Sequence, residues 1–211
     1  MAWLYSVIAF VLAGLACVLS KFEKGCRPAS LGKEYLRSYI GLPELVGNLV
    51  FAALGWILYS LFGATWFFGL IFIFCFFLYT IVWSDIRRMV IPDYLIIILV
   101  ILAVIRLLIG QGENLLLSLA GTAALGLSTL FVNFVNKKAI GLGDVKLLAA
   151  LGLFFGLWDG LTLLVLTFIM TGLAGLFLLT FKLGSRNSVM PFAPFAGLAV
   201  VIYFAVAALS I

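Results

Sequence analysis

The chain has 211 residues, 66% of them hydrophobic and 10% charged, with a mean hydropathy of +1.32 and a net charge of +5. Soluble domains carry about 25% charged residues, so this composition excludes an ordinary soluble fold and specifies an integral membrane protein embedded in a lipid bilayer. The basic residues sit in short links between apolar runs, the positive-inside pattern of a membrane protein, and no nucleic-acid partner is expected.

Helical spanning of the hydrocarbon core takes about 20 apolar residues, slightly fewer with tilt or local thinning. Eight such runs occur, over 2–20, 45–62, 66–84, 92–109, 115–135, 145–157, 161–181 and 192–209. The expectation is an all-α membrane protein, a polytopic bundle of about eight transmembrane helices with both termini outside. The first run has no basic residue ahead of it and is followed by Lys21 and Lys24, so it reads as a retained span rather than a cleaved signal.

Residues 21–43 form the largest non-spanning piece. Leu31, Tyr35 and Tyr39 recur there at intervals of four, with Lys33 and Arg37 on another face, ahead of Gly41 and Pro43. This is either a short amphipathic helix on the membrane surface or a plain loop anchored by charge. With the N-terminus outside, Lys21, Lys24, Arg27, Lys33, Arg37, Arg87, Arg88, Lys137, Lys138, Lys146, Lys182 and Arg186 share one side, and only Arg106 of the 13 basic residues lies near the other. The side holding the majority is cytosolic; the opposite links hold Glu113 and Asp159. Residues 1–84 then carry spans one to three and the cytosolic loop, and 85–211 carry spans four to eight, within one compact membrane domain.

The chain has no histidine. That excludes serine and cysteine mechanisms built on an imidazole base and removes the commonest metal ligand. Cys17, Cys26 and Cys75 fall in separate segments with no Cys-x-x-Cys pair, so neither a disulfide framework nor a zinc ribbon is indicated, and no metal or cofactor is implied.

Chemistry therefore falls to the acids. Asp144 follows two glycines in Gly141-Leu142-Gly143-Asp144-Val145-Lys146, at the start of an apolar run. Taken alone it reads as the N-cap of a helix starting at Val145. Gly141 and Gly143, lacking Cβ, are able to adopt positive φ and let a substrate backbone come close to the aspartate. Asp85 ends the third run in Ser84-Asp85-Ile86-Arg87-Arg88, where alone it reads as a juxtamembrane charge offset by two arginines. On the topology above both acids lie at the cytosolic depth. Two carboxyls at hydrogen-bonding distance cannot both stay ionised and share a proton, the arrangement by which an aspartic protease activates water.

Three stretches in order, Asp85 with Ile91-Pro92-Asp93, Gly141 to Leu147, and Met190-Pro191-Phe192-Ala193-Pro194-Phe195, resemble the signatures of the type IV prepilin peptidases, intramembrane aspartic proteases of the Gly-x-Gly-Asp class. The resemblance covers residues from about Trp83 to the C-terminus. It implies Asp85 and Asp144 as the catalytic pair of an aspartic endopeptidase. The implied substrates are prepilins, pseudopilins or related precursors, cut after a glycine at the cytosolic face of the cell membrane, in service of type IV pili and protein secretion.

Larger bacterial members carry two Cys-x-x-Cys pairs in a cytosolic loop and also N-methylate the new N-terminus with S-adenosylmethionine. Residues 21–43 hold only Cys26, so methyltransferase activity is not expected. Pro92 opens the fourth run and Asp93 meets its helix dipole. Lys146 either acts on a neighbouring acid or substrate, or anchors the helix at the interface. Pro191 and Pro194 break the entry to the last run and shape the cleft.

Two other readings stand beside this one. A presenilin or signal-peptide-peptidase relative shares Gly-Leu-Gly-Asp but has Tyr-Asp where this chain has Ser84-Asp85. A small proton- or cation-coupled transporter would use both acids as ion sites, although neither lies at mid-membrane, where alternating-access sites are found.

Overall fold

The structure, a computed structural model, describes residues 42–63, 65–110, 114–135, 140–181 and 190–209. Among these residues there are six helices and no strand: α1 Leu42–Phe62, α2 Trp66–Arg88, α3 Asp93–Leu108, α4 Leu115–Val135, α5 Leu142–Thr180 and α6 Ala193–Leu209. A helix satisfies every backbone amide within its own segment, as hydrocarbon requires, so Ile-, Val- and Phe-rich runs that would favour strands in water are helical here. Three helices, α2, α4 and α5, are long and apolar enough to cross a membrane.

The all-helical class agrees with the sequence expectation, and the helices follow the apolar runs closely. The predicted first span and the loop ahead of Leu42, with its amphipathic segment, lie outside the described residues. Pro43, expected in that loop, falls in the first turn of α1, where a missing amide costs nothing.

The predicted sixth and seventh spans are the two helical segments of α5, which meet at a sharp break at Gly156 (φ 84°, ψ −167°). Only glycine adopts that conformation without penalty, and this places the break at Gly156, just before the predicted end of the sixth run at 157. Asp159, expected in a link, continues the helix beyond it.

Two compact units divide the chain, Met1–Trp83 with Phe204–Ile211, and Ser84–Tyr203. In the first, α1 and α2 meet through aromatic rings: Phe51 lies 5.6 Å from Phe72 and 5.0 Å from Tyr79, centroid to centroid. The Tyr79 hydroxyl donates to Asn48 Oδ1 at 2.8 Å, so the Asn48 side chain on α1 is partnered from α2.

The second unit is organised on the first half of α5, whose Leu147, Leu148 and Leu151 are fully buried. On one side α4 packs extremely close. A Cβ on Gly121 would stand 2.6 Å from the Gly152 carbonyl oxygen, and one on Gly152 would stand 2.5 Å from that of Gly121. Without a hydrophobic force between helices in lipid, such small-residue contacts let backbones approach and supply the packing energy.

On the other side α3 runs parallel to α5. Asp93 at the start of α3 pairs with Lys146, and Arg106 near its end donates to the carbonyl of Phe154, its guanidinium 4.9 Å from the Phe154 ring centroid. The break at Gly156 interrupts the hydrogen-bond ladder of the preceding turn, and a cation there both satisfies a carbonyl and meets the negative helix end.

Candidate functional site

Four chain ends converge at one end of the second unit: the close of α2 and the starts of α3, α5 and α6. The turn after α2 is tight. Met89 adopts a positive φ of 52°, its amide returns to the Asp85 carbonyl at 2.8 Å, and the Ser84 hydroxyl donates to the Val90 carbonyl at 3.0 Å. This brings Ile91 and Pro92 back toward the start of α5, with Pro92 capping α3 in an extended conformation (φ −68°, ψ 128°) and Asp93 in its first turn.

Asp85 is buried, with 4% of its surface exposed. Its Oδ2 accepts the Ala193 amide at 2.9 Å, and the Phe192 amide is turned toward it as well. These are the free donors at the start of α6. Pro194 is the second residue of that helix and has no amide to leave unsatisfied. Pro191 is half-buried just ahead. Asp85 therefore serves as a side-chain cap for a helix distant in sequence, its carboxyl meeting the amides of that helix start.

Asp144 is held differently. The helix starts at Leu142 with Gly141 as N-cap, so Asp144 is not the cap expected from sequence but the third residue of α5. Its Oδ2 reaches back to the Gly141 amide at 3.2 Å, one half of a capping box. Asp144 is half-buried, and Asp85 lies close enough for the two charges to interact. Both acids thus lie in the second unit, at the end where these helices meet.

The glycines serve a different purpose from the one expected. Gly141 has φ −64°, and neither it nor Gly143 is among the residues of positive φ. What Gly143 supplies is space: a Cβ there would stand 3.1 Å from the Cβ of Ile91, so its absence lets the loop after α2 rest on the first turn of α5.

Lys146 turns to neither acid of the pair. Its Nζ stands 2.7 Å from Asp93 Oδ1, with the two side chains 54% and 67% exposed. Sequence reasoning missed Asn133, near the end of α4. Its side-chain amide donates to the Ile140 carbonyl at 2.7 Å and accepts the Ile140 amide at 2.8 Å. Its one sequence signal is a polar residue near the end of an apolar run, just ahead of the glycine motif.

The family described as the type IV leader peptidase family matches residues 72–179, a stretch holding both Asp85 and Asp144 but ending before Pro191. A prepilin leader peptidase/N-methyltransferase of Xanthomonas campestris is 31% identical over 169 residues, which make up 75% of this chain and 55% of that protein. One of Pseudomonas aeruginosa is 31% identical over 180 residues, 81% of this chain and 58% of that protein. The chain thus matches little more than half the length of these relatives. Both carry a methyltransferase in their names, so the expectation of a peptidase without that activity has no support from them. No solved structure matches.

Proposed function

Since the chain belongs to the type IV leader peptidase family, we propose that it is a membrane aspartic endopeptidase that removes the leader of prepilins or pilin-like precursors. One observation carries the reading: two carboxyls from distant parts of the chain converge in one unit, each held by a helix amino end and close enough to interact.

In the proposed reaction the pair holds one proton. The ionised carboxyl takes a proton from water as its oxygen attacks the scissile carbonyl carbon, while the protonated one gives its proton to the carbonyl oxygen. Collapse of the resulting diol breaks the C–N bond. A carboxyl returns a proton to the departing nitrogen, leaving a new carboxylate and a new amine. The helix starts gathered here favour the negative charge the pair must carry.

The membrane placement is part of the proposal. With N-terminus outside, eight spans and the basic links on the cytosolic side, the site faces the cytosol at the hydrocarbon edge of the cytoplasmic membrane. A leader could be cut there, after a glycine, just ahead of its apolar helix. Pro92, Asp93, Lys146, Pro191 and Pro194 shape the entrance around the pair.

The test is cleavage of a purified pilin-like precursor by the reconstituted protein, with products located by mass spectrometry. The wild type should release the leader, and Asp85→Ala and Asp144→Ala should each lose the activity. Intact cleavage by either variant would overturn the proposal.

A further inference from the structure

We infer that Asn133 is a positioning residue for Asp144, acting through a single peptide plane; this rests on the proposed role of the two acids. The Asn133 side chain makes two hydrogen bonds to one residue, donating to the Ile140 carbonyl at 2.7 Å and accepting the Ile140 amide at 2.8 Å. The carbonyl of Ile140 and the amide of Gly141 belong to the same peptide unit. That unit is planar, and in this chain it is trans, so fixing the carbonyl direction fixes the amide direction opposite to it.

The Gly141 amide is the group that donates to Asp144 Oδ2 at 3.2 Å. The Gly141 carbonyl in turn accepts the amides of Asp144 at 3.1 Å and Val145 at 3.2 Å. Asn133 thus sets, through one rigid group, both where α5 starts and where its aspartate points. Its donation to the Ile140 carbonyl also polarises the peptide and strengthens the Gly141 amide as a donor. Asn133 is half-buried and sits on α4, the helix locked against α5 by the Gly121–Gly152 contact, so its own position is fixed by packing.

Asparagine is the side chain this geometry requires, because it offers one donor and one acceptor at the spacing of a backbone amide pair. Aspartate has the same shape and keeps the acceptor for the Ile140 amide. It has no donor for the Ile140 carbonyl and sets a negative oxygen against it.

The experiment compares Asn133→Asp and Asn133→Ala with wild type in the reconstituted cleavage assay, separating kcat from KM and recording thermal unfolding in detergent. Both variants should show kcat about tenfold lower, since a small misplacement of a reacting group costs one to two orders of magnitude. KM should stay within about twofold, because Asn133 touches no substrate on this assignment. Backbone exchange over 140–144, measured by hydrogen–deuterium mass spectrometry, should rise in both.

Wild-type kcat in the aspartate variant, or a loss expressed mainly in KM, would overturn the inference. If the alanine variant fails to fold, the aspartate variant carries the test alone, since it keeps the shape and one of the two hydrogen bonds. Asp144→Asn run in parallel separates the two claims. Activity in that variant sinks the proposed function, whereas its inactivity beside unaffected Asn133 variants sinks the positioning role only.

Discussion

Asp85 and Asp144 are both held by helix amino ends, yet the two regions are built on opposite principles. Asp144 is held by the first turn of its own helix, through an amide three residues away. Asp85 is held by the start of α6, 108 residues further along the chain, and is itself nearly inaccessible. One acid is positioned by local geometry and stays half-open. The other is positioned by the tertiary fold and is closed in. On the proposed mechanism, an attacking water would approach such a pair from the open side, with Asp144 nearer the substrate and Asp85 behind it.

The largest expected effect is one the two regions share. Asp85→Asn and Asp144→Asn keep the shape of each side chain while removing the proton traffic. Each should lower the cleavage rate on the order of 10³-fold, within the usual contribution of acid–base groups. A clear inequality, with one variant retaining more than about a tenth of the activity, would break the symmetry of a two-acid mechanism and leave a single essential carboxyl.

Stability should separate the regions. Asp85→Ala leaves amides at the start of α6 buried without an acceptor, at a cost of about 1–3 kcal/mol. In Asp144→Ala the exposed Gly141 amide passes to solvent, and the loss should be about 0.5–1 kcal/mol, typical of a missing cap partner. Denaturant unfolding of the purified variants measures both. Equal losses would mean that Asp85 contributes no more to docking α6 than Asp144 contributes to starting α5.

A smaller effect probes the contact that joins the regions. Gly143→Ala puts a methyl 3.1 Å from the Ile91 Cβ, so the loop after α2 must yield by a few tenths of an ångström. The substitution also gains about 0.5–1 kcal/mol of helix preference. Stability should thus stay within about 1 kcal/mol of wild type while cleavage falls several-fold, because the displacement falls between the two acids. Unchanged cleavage would show that the Ile91–Gly143 contact does not set their separation.

What the sequence revealed follows the same division. The Asp144 turn was legible because its parts lie within four residues, although the reason for its glycines was not. The pattern Gly-x-Gly suggests unusual backbone angles, whereas here it answers the proximity of Ile91, a contact across 52 positions that no local pattern contains. The helices were legible from the length of the apolar runs, since hydrocarbon leaves the backbone little else to do. The break at Gly156 lies one residue before the predicted end of the sixth run at 157, but its sharpness comes from a backbone conformation of Gly156 that run length does not encode. Arg106 meeting the Phe154 carbonyl, the Phe192 and Ala193 amides meeting Asp85, and Asn133 meeting Ile140 all depend on which helix lies beside which. Composition and period say nothing about that.

The smallest effect belongs to the ion pair at the rim. Lys146 and Asp93 stand 2.7 Å apart with more than half of each side chain in contact with the surroundings. An exposed pair of this kind contributes about 0–1 kcal/mol, because solvent screens the attraction and two flexible side chains must be ordered to form it. If the pair only tethers α3 to α5, Lys146→Ala and Asp93→Ala should each slow cleavage by less than about threefold, and the double variant should do no worse than the single ones, since the second change removes nothing further. A role in gripping the substrate predicts something else. The single variants would then raise KM unequally, according to the charge the precursor presents, and their effects would add in the double variant. The cycle therefore distinguishes a tether from a binding contact, and the geometry favours the tether, because each charge is already occupied by the other.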